Sequence, residues 1–363
     1  VSLMKSFRDK EKVDILLNQI KKEAVRQSYN IMEVCGTHTV AISKWGLRNL
    51  LPKNIRLISG PGCPVCVTSQ GEIDLIFQLL EKYDIALAVY GDMMKVPGSK
   101  GENLLYLRGK GKRIHIVGSV LDVLNLSKCF NEEIVFVSIG FETTTPQTAY
   151  LIMKAKEIRI KNLSVLLFNK TMPEILNLLL SDKNLNIDGF IAPGHVSAVT
   201  GEELYLPIIK AKKAAVITGF EPVEILNGIL EIIRQVNSGD YKVENCYKRV
   251  VSGKKNIKAY TLMDEVFEIC DAVWRGIGLI KGSGLRIKKS YEEYDAFKRY
   301  GLTPEGFNER EGCRCGDVLK GYLKPTECKL FGNICTPENP YGPCMVSAEG
   351  TCAAYYMFGE DNG

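Results

Sequence analysis

The stretch Ile55-Arg-Leu-Ile-Ser-Gly-Pro-Gly-Cys-Pro-Val-Cys66, followed by Gly71-Glu-Ile-Asp-Leu-Ile76, decides how this chain is read. The apolar run Ile55 to Ile58 predicts a strand, the Gly-Pro-Gly turn ends it, and Gly71 onward predicts a helix start. A Cys-Pro-Val-Cys turn at the carboxyl end of a strand brings two sulfurs close together. Two thiols so placed can close a disulfide or share a metal. Amide groups at the following helix N-terminus favour a thiolate and lower its pKa.

The same strand–loop–helix unit recurs outward from this point. Apolar strand candidates are Ile85–Tyr90, Ile114–Val117, Ile134–Ile139, Ser164–Phe168, Gly189–Ala192 and Ala214–Thr218, with helical segments such as 72–81, 145–155 and 173–180 between them. Continuous β-branched runs alternating with helices predict α/β architecture, with parallel sheets covered on both faces. Upstream, a short strand in Asn30-Ile-Met-Glu-Val-Cys-Gly-Thr-His-Thr39 delivers Cys35 and His38 into a glycine-containing loop. An imidazolium near a thiol stabilises the thiolate, and a neutral imidazole can ligate a metal; a capping or core histidine is the plainer alternative for His38.

Most of the remaining strands end in a polar or glycine-rich loop: 91–98, 140–146, 193–197 and 219–222. Ligands of open α/β sheets bind at the carboxyl ends of strands, so these loops are expected to face one central cleft. Glu142 reads either as a base or hydrogen-bond anchor, or as an acid at a helix N-terminus; Glu221 reads as the latter. His195, between Pro-Gly and Ser, is placed on the cleft, whereas His115 within an apolar strand is structural. Short echoes, Gly-Phe-Glu at 140 and 219 and Pro-Gly at 61 and 193, suggest two lobes with a boundary near residue 130. The expected units are therefore 30–130, carrying Cys35 and the Cys63/Cys66 pair, 131–240, and a third domain of 1–29 with 241–363. No GxGxxG or Walker pattern lies between a strand and a helix, so no nucleotide site has motif support.

Net charge is +5 over 363 residues, from 47 basic and 42 acidic side chains, and the basic runs are short. That balance argues against a nucleic-acid footprint. No apolar run reaches a membrane-spanning length, and the amphipathic first segment lacks a signal-peptide centre, so a cytoplasmic protein is expected. In that compartment 12 cysteines point to metal or redox use rather than a disulfide framework. Cys129, Cys246 and Cys270 have no partner at useful spacing and read as buried thiols.

Six cysteines fall between Cys313 and Cys352, as a CxC followed by gaps of 12, 6, 8 and 7 residues. Zinc knuckles come as paired CxxC, which this tail lacks; loop-borne, spread-out cysteines suit a cubane iron–sulfur cluster. Cys328, Cys335, Cys344 and Cys352 are the expected ligands, with Cys313 and Cys315 a nearby thiol pair, although a CxC can also contribute a ligand.

Together Cys35-Gly-Thr-His38, Gly60-Pro-Gly-Cys-Pro-Val-Cys66, Gly140-Phe-Glu-Thr-Thr144, Pro193-Gly-His-Val-Ser197, Gly219-Phe-Glu-Pro222 and the tail from Cys313 to Tyr356 resemble the HypD family of [NiFe]-hydrogenase maturation factors. The resemblance implies two α/β domains facing each other across a cleft and a third carrying a [4Fe-4S] cluster. It implies a redox-active scaffold, rather than a conventional turnover enzyme, on which the Fe(CN)2CO unit of the hydrogenase is assembled. HypC would dock and share the iron, and HypE, loaded by HypF, would deliver cyanide. On this chain it makes Cys35 the thiolate on iron and Cys63 and Cys66 a redox pair able to contact iron when reduced, with His38, Glu142 and His195 orienting ligands or moving protons. The family's cluster is similar to that of ferredoxin:thioredoxin reductase, so a ferredoxin-linked disulfide reductase is the first rival. A structural zinc protein is the second.

Overall fold

The computed structural model describes residues 7–304 and 310–359. Nine short strands make two all-parallel sheets. β1 (Tyr29–Glu33), β2 (Ile55–Ser59), β7 (Gly189–Pro193), β8 (Ala214–Thr218) and β9 (Val243–Asn245) form a five-stranded sheet in the order β2-β1-β7-β8-β9. β3 (Ala86–Tyr90), β4 (Ile114–Val117), β5 (Ile134–Ser138) and β6 (Leu163–Leu167) form a four-stranded sheet in the order β4-β3-β5-β6. The predicted α/β class holds, and each strand named from the sequence pattern overlaps an observed one.

The predicted division of the chain does not hold. The first sheet is completed by β7, β8 and β9, more than 120 residues after β2, and the four-stranded sheet is inserted between them. A boundary near residue 130 would cut through the inserted lobe, between β4 and β5. Nor do residues 1–29 and 241–363 form one separate unit. Helix Lys10–Glu23 packs on helix Pro222–Ser238 of the five-stranded lobe, where Arg234 donates to Glu23 at 2.9 Å, and β9 extends that lobe's sheet beyond residue 240. Residues 1–6, 305–309 and 360–363 of the expected third domain lie outside the described residues. Periodicity reports where strands are but not which strands pair, because pairing is a non-local choice.

Strand alternation explains how the lobes are joined. On the inserted sheet Ala86, Ala88, Ile134, Phe136, Leu163 and Val165 face one apolar cluster, while Leu87, Val89, Val135, Val137 and Leu166 face another. That second cluster also takes Met32, Ile58, Phe190, Ala192 and Ile217 from the five-stranded sheet, so the inner faces of both sheets share one core. The outer face of the larger sheet is covered by helix Pro222–Ser238. Its apolar Ile225, Leu226, Ile229, Ile232, Ile233 and Val236 recur at helical spacing and are all buried. Glu221 caps that helix, its side chain also held by Arg8 at 2.6 Å, in agreement with the helix-terminus reading. An antiparallel hairpin, β10 (Phe267–Trp274) and β11 (Gly278–Ile287), follows, and Cys313 to Phe358 is a series of turns and short helices. Among the described residues no helix is long and apolar enough to cross a membrane.

One buried ion pair fastens the end of β6 to helix Gln70–Lys82. Lys170 Nζ donates to both oxygens of Glu72 at 2.9 and 3.0 Å, and Glu72 also accepts from Ser69 N at 2.7 Å as part of that helix's cap. Removing one member leaves the other charge buried and unpaired, which costs about 3–5 kcal/mol. Lys170→Met is expected to destabilise by that amount in urea unfolding, and adding Glu72→Gln is expected to recover part of the loss.

Candidate functional site

β1 is where the order of the larger sheet reverses. β2 lies on one side of it, and the chain returns on the other side as β7 only after building the inserted sheet. β3 plays the same part between β4 and β5 in the smaller sheet. Ligand sites in open α/β sheets collect outside the carboxyl ends of strands at such reversals. The loops leaving β1, β2, β7 and β8 carry Cys35 and His38, Cys63 and Cys66, His195, and Phe220. Those leaving β3 and β5 carry Asp92 and Glu142.

The Cys35 loop and the Cys63 loop meet backbone to backbone. A Cβ on Gly62 would lie 2.2 Å from Cys35 N, so only glycine fits, and Gly36 N donates to Gly62 O at 3.2 Å. Cys35 heads helix Gly36–Lys44, and Cys63 heads the short helix Pro64–Val67 with Pro64 in its first turn. Cys63 and Cys66 are joined as a disulfide with Cα atoms 5.2 Å apart. Cys35 is a buried free thiol. Burial pushes its pKa up to about 12, with the Glu349 carboxylate adding to the effect and the amides of His38 and Thr37 opposing it.

The tail seals this junction. Thr37 Oγ1 donates to Glu349 Oε1 at 2.6 Å, Ser347 Oγ lies 3.3 Å from Cys63 Sγ, and Ala348 N donates to Asp92 Oδ2 at 3.3 Å. Residues 347–349 therefore bridge both lobes directly over Cys35 and Cys63. The turn Pro343–Met345, which carries Cys344, packs on helix Pro64–Val67.

His38 is fully buried, and Nε2 lies 2.9 Å from Gly219 O and 2.8 Å from Thr218 Oγ1. A carbonyl only accepts, so Nε2 carries the proton, leaving Nδ1 buried without a partner. Burial lowers the His38 pKa to about 4, so the ring is neutral and does not serve as an imidazolium beside Cys35. The Phe220 ring lies between two imidazoles, 4.6 Å from His38 and 4.3 Å from the exposed His195.

Glu142 is buried, but it does not serve its own helix. Oε1 accepts from Met172 N at 2.8 Å, the N-terminus of helix Met172–Ser181, and Oε2 has no partner. Sequence reasoning missed Glu33, Asp92, Ser347 and Glu349. A signal existed for Glu33, a carboxylate inside the apolar strand before Cys35; it is fully buried, accepts from Thr39 Oγ1 at 2.7 Å, and burial raises its pKa to about 7. Cys129, read as buried, is exposed, and Cys246 and Cys270 are partly so.

All six tail cysteines line one cavity, together with Val318, Leu330, Phe331 and Met345. Their sulfurs form a contact series in which Cys315 touches Cys313 and Cys344, and Cys344 Sγ lies 3.4 Å from Cys352 Sγ. Among the described residues no three His, Cys, Asp or Glu side chains are arranged to hold a single metal ion. The closed Cys63–Cys66 disulfide keeps those two sulfurs from acting as thiolate ligands beside Cys35.

A family model described as "HypD: Hydrogenase formation hypA family" matches residues 11–359. The chain belongs to the HypD family. It is 43% identical to the hydrogenase maturation factor HypD2 of Bradyrhizobium diazoefficiens, over 97% of this chain and 96% of that protein. The hydrogenase maturation factors HypD of Cupriavidus necator (42%) and Escherichia coli K12 (38%) align over 98% and 97% of this chain and over 97% and 96% of their own lengths. This HypD-family protein is thus similar to them from end to end.

Burial raises the Glu142 pKa from 4.5 to about 7, with the Met172 amide opposing. A raised acid pKa stabilises the fold below the unfolded value, and that contribution is lost as pH rises through about 7. Glu142→Gln stays neutral throughout, so its stability relative to the parent protein is expected to rise by about 3 kcal/mol between about pH 5 and pH 8. Urea midpoints for both proteins at the two pH values measure this; a pH-independent difference would show that Glu142 is not protonated in the fold.

Proposed function

We propose that this chain is the scaffold on which the Fe(CN)2CO unit of [NiFe]-hydrogenases is assembled. The observation that carries the reading is the Gly62 contact, which sets the buried Cys35 thiol against a cysteine pair at the meeting point of two lobes. The iron unit is cargo, and Cys35 is its protein ligand. A buried thiol with a pKa near 12 does not ionise alone; an arriving cation supplies the compensating charge, and Glu33 and Glu349 beside it attract that cation. Soft thiolate ligation suits a low-valent iron that carries cyanide and carbon monoxide. Opening the Cys63–Cys66 disulfide by two electrons and two protons yields two thiols next to Cys35, able to join it on the iron.

His38, neutral with an unpartnered Nδ1, accepts a proton or a hydrogen bond, while exposed His195 stacked on Phe220 faces incoming ligands. Glu142 holds helix Met172–Ser181 and with it the wall of the cleft. HypC is the proposed partner that shares the iron, HypE the source of cyanide, itself loaded by HypF, and the cytoplasm the proposed compartment.

The tail fits a [4Fe-4S] group: thiols only, gathered around one cavity with an apolar wall. A cubane holds its four ligating sulfurs at separate corners, so sulfurs in mutual contact do not both serve. Cys344 touches Cys352, which disfavours the expected set of Cys328, Cys335, Cys344 and Cys352. Taking out the two middle members of the contact series, Cys315 and Cys344, leaves Cys313, Cys328, Cys335 and Cys352 as the proposed ligands and Cys315–Cys344 as the proposed thiol pair. When bound, the group supplies single electrons. The packing of the Cys344 turn on helix Pro64–Val67 also favours a second reading, a ferredoxin-linked disulfide reductase acting through Cys63–Cys66.

Anaerobically purified protein is expected to hold about four irons and four acid-labile sulfides per chain. Its complex with HypC is expected to show cyanide and carbonyl infrared stretches that disappear in Cys35→Ala. A cluster without those stretches in the parent protein supports the reductase; zinc without sulfide overturns both.

A further inference from the structure

Arg275 lies in the turn of the β10–β11 hairpin and is 1% exposed. Its backbone N donates to Val67 O at 2.8 Å, and Trp274 bridges Thr68, so the residue is tied to the end of the helix that carries Cys63 and Cys66. On its other side Gly276 touches the tail: a Cβ on Gly316, the residue after Cys315, would lie 2.5 Å from Gly276 Cα and O. The side chain donates from Nη2 to Gln70 Oε1 at 2.8 Å, while Nε and Nη1 are buried without a partner. None of the described ion pairs includes Arg275; Asp271, the nearest acid in sequence, accepts from Gly282 N at 3.0 Å, and Glu72, behind Gln70, is committed to Lys170. The guanidinium lies against a thiol instead, the side chain of Cys315, whose chain neighbour Gly316 meets Gly276.

A guanidinium stays charged at any ordinary pH, and burying it without an anion costs several kcal/mol. Gln70 offers only a neutral oxygen. The missing negative charge must come from what the neighbouring sulfurs carry. Thiolates gathered around a metal group provide it, and each electron added to that group adds one more negative charge.

We propose that Arg275 is the counter-cation of the six-cysteine centre and sets its reduction potential, holding it within reach of the Cys63–Cys66 disulfide. The proposal rests on the reading of the tail as an iron–sulfur site. Arg275 is a positioning residue in this role, because it acts on the sulfurs rather than on the iron cargo.

The test uses the full chain purified without oxygen, titrated with dithionite and a mediator set, and followed by electron paramagnetic resonance and visible absorption. Loss of the cation disfavours the more negative, reduced state. Arg275→Met with unchanged iron and sulfide is therefore expected to lower the reduced-to-oxidised ratio at a fixed potential about tenfold, or about 59 mV for a one-electron couple. Arg275→Lys keeps the charge and is expected to recover most of the shift. A second readout separates charge from shape. In chelator-stripped, thiol-reduced protein Arg275→Met is expected to unfold at the same or higher urea concentration than the parent, because an uncompensated buried charge is gone; in loaded protein it is expected to unfold at lower urea. Should Arg275→Met not accumulate, Arg275→Gln serves the same comparison. An unchanged potential at full iron content overturns the role of Arg275 alone, as does a shift that Arg275→Lys shares in full. Absence of iron and sulfide from the parent protein overturns the iron–sulfur reading and this inference together.

Discussion

Everything at the site depends on one close approach, the contact of Gly62 with the backbone of Cys35. Any side chain at position 62 would occupy the space of the Cys35 amide, so the loop after β2 can lie on the loop after β1 only with glycine there. Because β1 and β2 are paired in register from Tyr29–Ile55 to Glu33–Ser59, the two loops leave the sheet at the same level. The contact then fixes three sulfurs in one place without long side chains having to reach for one another. Helices begin at both cysteines, and their first amides point at the sulfurs.

Burial gives this site its chemical character. Cys35, Glu33, His38 and Glu142 are each shifted towards their neutral forms, and desolvation is the first cause in every case. A low-dielectric pocket whose groups rest neutral disfavours an isolated ion of either sign and suits a cation whose arrival is matched by ionisation of the thiol and acids around it. Resting neutrality of this kind is consistent with a site that holds a metal unit transiently and releases it, since no fixed carboxylate cage keeps the ion.

The sequence made the loops legible but not their assembly. Cys35, Cys63, Cys66, His195 and Glu142 stand at strand ends because glycine, proline and apolar runs mark those ends locally. That β7 returns beside β1 was invisible, since nothing in Gly189-Phe-Ile-Ala-Pro193 names its partner strand. For the same reason Glu142 stayed open between a base or hydrogen-bond anchor and an acid at a helix N-terminus, and the helix start it serves lies 30 residues away. Glu349 and Ser347 were missed because the tail drew notice only for its cysteines. No local pattern in the sequence marks Arg275, and only its burial beside Cys315 singles it out.

The tail is a segment that its own apolar side chains order only weakly. Between Cys313 and Gly350 the chain is turns and single helical turns, rich in glycine and proline, with few buried apolar side chains of its own. A segment of that composition gains little from burial to offset the entropy of ordering it. Yet its residues 347–349 must be held to within hydrogen-bonding distance of Thr37, Cys63 and Asp92, which lie on both lobes. A metal group bound by four thiolates drawn from Cys313 to Cys352, as proposed, would close several loops at once, and its binding energy would then be folding energy. On this reading the iron–sulfur group both supplies electrons and shapes the cover over Cys35. Loss of the group would then loosen the cover as well as remove the electrons, so that on the proposed reading the cleft and the redox centre form one unit rather than a rigid site with a centre attached.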